Sequence, residues 1–235
     1  MRSAVLVAGA ICLLAPSAHA DGIAPVSSAQ CETMRARNVI HAGVPVGCDR
    51  LSLVTFTYTD FGGRTHDDGQ IVVLDVLANN VLAIFRTLHA QRFPIASARP
   101  MEAFGGDDDA SMAENNTSAF NHRAVAGSAS ISVHAFGATI DLNPVQNPYV
   151  VRGPKSEIAP PAGAAFLQRN PQKPGMAEGV IGIFARHGFA DWGGRWRSET
   201  DYQHFAVPRA LAARLASATR EEAKRIWVGR FQSRR

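Results

Sequence analysis

Residues 51–88 read LSLVTFTYTDFGGRTHDDGQIVVLDVLANNVLAIFRTL, and their hydrophobic period changes part-way along. Leu51 to Thr59 alternates apolar or β-branched side chains with polar ones, the period of a half-buried strand. Phe61-Gly62-Gly63-Arg64 follows as a turn. Gly69 to Leu74 is a second short strand. Val76, Leu77, Val81, Ile84, Phe85 and Leu88 then recur at spacings of three and four, which predicts a helix of about fifteen residues ending before Pro94. One stretch thus joins two strands to a helix.

Downstream, Phe93 to Ala98 reads as another strand, leading into Arg99-Pro100. Met101 to Gly127 is polar, with Gly105-Gly106-Asp107-Asp108-Asp109 and Glu114-Asn115-Asn116-Thr117-Ser118, and has no sustained period. A loop of that length in a compact domain usually borders a site. Ile140 to Asn143 resumes a strand pattern, broken by Asn143-Pro144 and Asn147-Pro148. Pro154, Pro160, Pro161, Pro171 and Pro174 make 151–178 a surface excursion. Gly179 to Arg186 reads as a short helix stopped by Gly188. Pro208 sits at a first helical position, followed by Leu211, Leu215, Ile226 and Trp227 on a helical stripe. Residues 209–235 carry eight Lys or Arg against two Glu. This is either a solvated basic face or a surface for weak contact with an anionic polymer.

The chain has 235 residues, 46% hydrophobic and 19% charged. That is enough apolar content for one sizeable core, and it excludes disorder and collagen-like repeats. A formal charge of +4 is too small to argue for nucleic acid. Arg2, the apolar run Val5 to Leu14 and Ala18-His19-Ala20 have the form of a secretory signal peptide over residues 1–20. No later segment approaches the roughly 20 apolar residues of a membrane-spanning helix, so export to the periplasm or beyond the cell is expected. Cys31 and Cys48 then remain. Export favours a disulfide between them, with two buried free thiols as the other reading. The expected organisation is a signal peptide over 1–20, an N-terminal segment over 21–50, a main domain over 51–207 and a basic helical tail over 208–235.

Two histidines have company that matters chemically. His134 lies in Ser132-Val133-His134-Ala135-Phe136-Gly137-Ala138-Thr139-Ile140-Asp141, seven residues before Asp141 and across a glycine that permits a turn. His204 lies in Asp201-Tyr202-Gln203-His204. A catalytic zinc site needs three imidazole or carboxylate ligands, an open position for water, and a nearby carboxylate to take that water's proton. Two His and two Asp meet that demand, although such spacings also occur in polar loops that bind nothing. There are no Cys-x-x-Cys pairs and no glycine-rich phosphate loop to support redox or nucleotide chemistry.

Ser132-x-His134-x-x-Gly137-x-x-x-Asp141 resembles the Ser-x-His-x-x-Gly-x-Ala-x-Asp signature of the VanY-type D-alanyl-D-alanine carboxypeptidases and their relatives, the L-alanoyl-D-glutamate endopeptidases. Trp192-Gly193-Gly194-x-Trp196 and Asp201-x-x-His204-Phe205 are similar to the second half of the site in the endopeptidase-like subgroup. The resemblance spans roughly residues 60–206. It departs from the pattern at Thr139, where Ala is usual, and at Ala206, where Glu often follows His-Phe.

The resemblance implies an α+β fold, a small antiparallel sheet with flanking helices as in the DD-peptidases and the hedgehog signalling domain. It also implies zinc held by His134, Asp141 and His204, Asp201 as general base, and hydrolysis of peptide bonds in peptidoglycan stem peptides. The family's substrate-orienting arginine maps onto Arg99, with Arg123 in Phe120-Asn121-His122-Arg123 as the competitor. Trp192 and Trp196 either wall the cleft or are ordinary core aromatics. Ser132 is either a cleft hydrogen-bond donor or a turn residue. The rivals to a peptidase are a secreted zinc-containing module that binds wall peptides without cutting them, and a structural domain without metal.

Overall fold

The computed structural model describes residues 21–125, 130–153 and 156–232; the expected signal peptide lies outside them. The protein is α+β and is built from three small antiparallel sheets with helices packed around them. The first sheet joins β1 (Gly22–Pro25), β2 (Leu51–Thr59) and β3 (Thr65–Leu74), in the order β1-β2-β3. The second is β4-β9-β7, from Thr139–Asp141, His204–Ala206 and Asp191–Trp192. The third is β6-β5-β8, from Glu157–Ala159, Tyr149–Val151 and Glu199–Asp201.

The strand read over Leu51 to Thr59 is β2. Its partner β3 starts four residues before the expected Gly69, at Thr65, and bulges against β2 between Phe56 and Tyr58. The periodic helix is α2 (Ala78–Ala90), entered through a 3-10 turn. Its Val81, Ile84, Phe85 and Leu88 are buried, and the Phe85 ring stacks on Phe56 of β2 at 3.8 Å. At about 1.5–3 kcal/mol per buried large apolar side chain, this face is a main source of stability.

Three expectations need correction. Phe93 to Ala98 is not a strand. Ile95 N donates to Thr59 O, and Ala96 N donates to the Asn143 side chain, so the segment's backbone is satisfied without a ladder. The polar stretch from Met101 contains α3 (Asp108–Ala113), whose N-terminus is capped by Asp107 accepting from Ala110 N. The proline-rich excursion contributes strand β6 and, at its end, the buried Met176 and Ala177. Gly179 to Arg186 is resolved as a 3-10 turn followed by α4 (Ile181–Arg186), with Gly188 at φ +93° just beyond.

Both ends of the described chain pack into one continuous core. The N-terminal segment adds β1 to the first sheet and supplies α1 (Ser28–Ala36). A Cys31–Cys48 disulfide with Cα atoms 5.9 Å apart ties α1 to the start of β2. The basic C-terminal region forms two helices, α5 (Arg209–Ser217) and α6 (Arg220–Gln232). Leu215 and Trp227 are buried, and Trp227 donates its indole N–H to Asn80 on α2. Arg50 cements this end by pairing with Asp75 at 2.9 Å and bonding the carbonyls of Leu215 and Ala218.

Cross-linking positions 17 apart removes loop-closure entropy from the unfolded chain, worth about 3 kcal/mol on that account. Replacing both cysteines by Ala should therefore lower unfolding stability by about that amount in urea titration, with the native fold retained. An unchanged midpoint would show that the bridge adds nothing.

Candidate functional site

His134 sits in a single 3-10 turn, Val133–Phe136. Ser132 starts the turn, its hydroxyl accepting from His134 N at 3.3 Å, so this serine acts on the turn and is buried beneath it. Gly137 ends it at φ +62°, a left-handed backbone that favours glycine. A Cβ there would also lie 2.6 Å from Leu74 N, where Leu74 donates to the Gly137 carbonyl. The chain then runs straight into β4, and the antiparallel register of β4 with β9 sets Asp141 opposite His204. Leu142 N donates to Gln203 O beside that pair, the pattern of a non-hydrogen-bonded pair, in which side chains on one face stand closest.

The outcome is a buried cluster. One ligand atom from each of His134, Asp141 and His204 lies within 4.8 Å of the others. His134 Nε2 stands 3.1 Å from Asp141 Oδ2, and His204 Nδ1 3.4 Å from Asp141 Oδ1. The other nitrogen of His134 meets the Ala119 carbonyl at 2.6 Å. That contact makes Nδ1 the protonated nitrogen and turns the Nε2 lone pair inward, the second-sphere arrangement of metal-binding histidines. Buried polar atoms are normally hydrogen-bonded, yet His134 Nε2, Asp141 Oδ1 and Asp201 Oδ1 make no hydrogen bond among the described residues. Two imidazoles, one carboxylate and inward-facing orphan atoms fit a zinc ion with room for a further ligand.

Asp201, three residues before His204, places Oδ2 3.8 Å from His204 Nδ1. Burial and the Asp141 charge push its pKa up to about 7, against the pull of His204. Asp141 goes the other way. Burial would raise it, but His134 and His204 hold it well below the usual carboxylate range. For His134 burial works against protonation and Asp141 outweighs it, so its pKa is raised. Two carboxylates and two imidazoles largely buried together have electrostatics that suit a cation.

The glycines of Trp192-Gly193-Gly194 have a spatial cause. A Cβ on Gly193 would sit 2.5 Å from the Asp201 carbonyl and 3.2 Å from His204 Cβ, so this turn lies directly against the cluster. The two tryptophans separate. Trp192 is buried, stacks toward Phe205 and bonds the Tyr202 carbonyl, which makes it a core aromatic and not a cleft wall. Trp196 is half-buried with its ring 4.9 Å from that of His204, fixed by its N–H to Asp191. Trp196 is thus the one that borders the cluster.

The two arginines also separate. Arg99 is exposed, pairs with Glu114 and lies over the Phe104 ring, so its side-chain contacts are away from the cluster. Arg123 is half-buried, pairs with Asp108 at 2.6 Å, and has a buried Nε without a partner. Asp108 was not apparent from sequence. Burial pushes its pKa up, Arg123 opposes this, and Asp141 and His134 are close enough to contribute. The one available signal was the acidic run before Ala110, which a loop reading absorbs.

The family model described as D-alanyl-D-alanine carboxypeptidase matches residues 126–207, the span that holds every member of the cluster. No curated protein and no solved structure gives a match. The family match supports a peptidase.

A histidine must be neutral to bind a metal, and His134 and Asp201 both hold protons to higher pH than usual. Zinc uptake by the metal-free protein should therefore release protons at pH 6 and fewer at pH 8, read by calorimetry in buffers of different ionisation enthalpy. His134→Ala and His204→Ala should lose stoichiometric uptake. Full zinc retention by either variant would remove that residue from the ligand set.

Proposed function

We propose that the protein is a zinc-dependent peptidase that hydrolyses peptide bonds in peptidoglycan stem peptides, as a D-Ala-D-Ala carboxypeptidase or an L-Ala-D-Glu endopeptidase, outside the cytoplasm. The observation that carries this reading is the buried His134-Asp141-His204 cluster with Asp201 beside it, inside the span of the peptidase family match. The disulfide, and the lack among the described residues of any helix long and apolar enough to cross a membrane, are in keeping with export.

His134, Asp141 and His204 would hold the ion, which when bound supplies a Lewis acid that acidifies water and takes up negative charge. Asp201 is the general base: its carboxylate accepts the water's proton and returns it to the leaving amine. An Asp is one methylene shorter than a Glu, and the contact of Gly193 with Asp201 keeps its backbone close to the ligands. Arg123 takes the role first mapped onto Arg99, since its guanidinium is the one on the cluster's side. It can hold a substrate carboxylate by charge-assisted hydrogen bonds. Trp196 closes the wall over His204, shielding the reacting groups from bulk water.

Digestion of purified muropeptides with mass analysis identifies the bond. Loss of one alanine marks a carboxypeptidase, and release of a longer peptide an endopeptidase. Asp201→Asn keeps the side chain's size but cannot accept a proton, so zinc content should persist while cleavage falls about 10²- to 10⁴-fold. A zinc-loaded wild type that binds wall peptides and cuts none replaces this reading with a binding module. Arg123→Ala should lower kcat/KM about 10- to 100-fold, the worth of a hydrogen bond to a charged group, while Arg99→Ala should leave it within about twofold.

A further inference from the structure

The face of the β6-β5-β8 sheet that carries Asp201 holds a residue the mechanism has not used. Tyr149 lies on the middle strand, opposite Asp201 on one side and Ala159 on the other. Tyr202 N donates to Pro148 O at 3.3 Å beside the Tyr149–Asp201 pair. That bond identifies a non-hydrogen-bonded pair, with side chains on one face and Cβ atoms about 5 Å apart. Ala159 is too small to cover the ring. Tyr149 is half-buried, and its hydroxyl has no hydrogen-bond partner among the described residues. Two residues along the same face, Val151 stands between Glu157 and Glu199.

The surroundings fix what this hydroxyl can do. Burial first, then the charges of Glu199, Asp201 and Glu157, raise the phenol's pKa, so it remains a neutral O–H donor at any working pH. A base that returns its proton to the leaving amine must have the leaving residue against it. The group next to Asp201 on the same face therefore meets that residue. Glu157 and Glu199 repel a carboxylate there and leave a neutral amide carbonyl as the acceptor.

We infer that Tyr149 binds substrate, its hydroxyl donating a hydrogen bond to an amide carbonyl of the leaving-side residue; this rests on the peptidase reading in its endopeptidase form and extends it, since the residue a D-Ala-D-Ala carboxypeptidase releases carries only a carboxylate. Such a carbonyl keeps its charge through the reaction, so the bond contributes equally to ground and transition states and acts on KM.

Tyr149→Phe keeps the ring and removes only the donor. KM for the stem peptide should rise about 3- to 10-fold, the worth of one neutral hydrogen bond, with kcat within about twofold. Calorimetry should show the amine-side product binding more weakly by the same factor, a measurement independent of turnover. Zinc content and Tm should match the wild type. Unchanged KM and product affinity would overturn the inference, as would a fall in kcat alone, which would make the hydroxyl a transition-state donor. Lost zinc or a lowered Tm would make Tyr149 structural. A wild type that cuts no stem peptide sinks the peptidase reading and this inference together, whereas an active wild type beside an unaffected variant removes Tyr149 alone.

Discussion

The antiparallel register of β4 and β9 is the constraint on which the site depends. It sets Asp141 opposite His204 and Ile140 opposite Phe205. Side chains alternate along a strand, so a slip of one residue would turn Asp141 into the packing side and Ile140 into the pocket. Burial guards against this: Ile140 and Phe205 are fully enclosed, and Phe205 stacks on Phe184 of α4 at 3.9 Å. The apolar side of this short sheet therefore holds the polar side in register. Gly137 completes the device, because only its left-handed turn, pressed against Leu74, brings His134 back over the strand it precedes.

The second constraint is that β8 and β9 belong to different sheets yet are separated by only Tyr202 and Gln203. The turn between them puts Asp201 on one sheet and His204 on another while keeping their side chains 3.8 Å apart. Two side chains joined by only two residues move together, which would serve a reaction sensitive to small misplacements if they are the base and the ligand proposed above. Arg169 braces this turn, its guanidinium lying over the Tyr202 ring while it pairs with Glu178 and bonds Asn147. The proline-rich excursion is anchored at the same place and so supports the site indirectly.

What was legible in the sequence follows what periodicity and motif encode. β2 and most of α2 were readable because their apolar faces repeat over several turns or pleats. His134, Asp141, His204 and Asp201 were singled out through their resemblance to a family motif, their spacing alone being weak evidence, and the register then joins the two halves. Arg99 against Arg123 was not decidable, since which guanidinium faces the cluster depends on where α3 and Asp108 fold. α3 itself is set by the cap at Asp107 and not by a repeating stripe, so a period search passes over it. Phe93 to Ala98 misled for a different reason. Its backbone is satisfied by the Asn143 side chain, a partner far along the chain that no local pattern announces.

The charges around the cluster also account for the company Arg123 keeps. A lone guanidinium beside a divalent cation would be repelled, and its buried Nε shows that it is not freely solvated. Asp108 offsets that repulsion at 2.6 Å while remaining within the field of His134 and Asp141. Counted as charged, the carboxylates of Asp108, Asp141 and Asp201 outweigh the single guanidinium by two negative charges. A buried pocket with that excess favours either bound protons, in line with the upward push of burial and Asp141 on Asp201, or a cation. One divalent ion would bring it to neutrality with Asp201 ionised, the state its proposed role as base requires. The charge that keeps Arg123 in place would thus also favour a dication in the pocket.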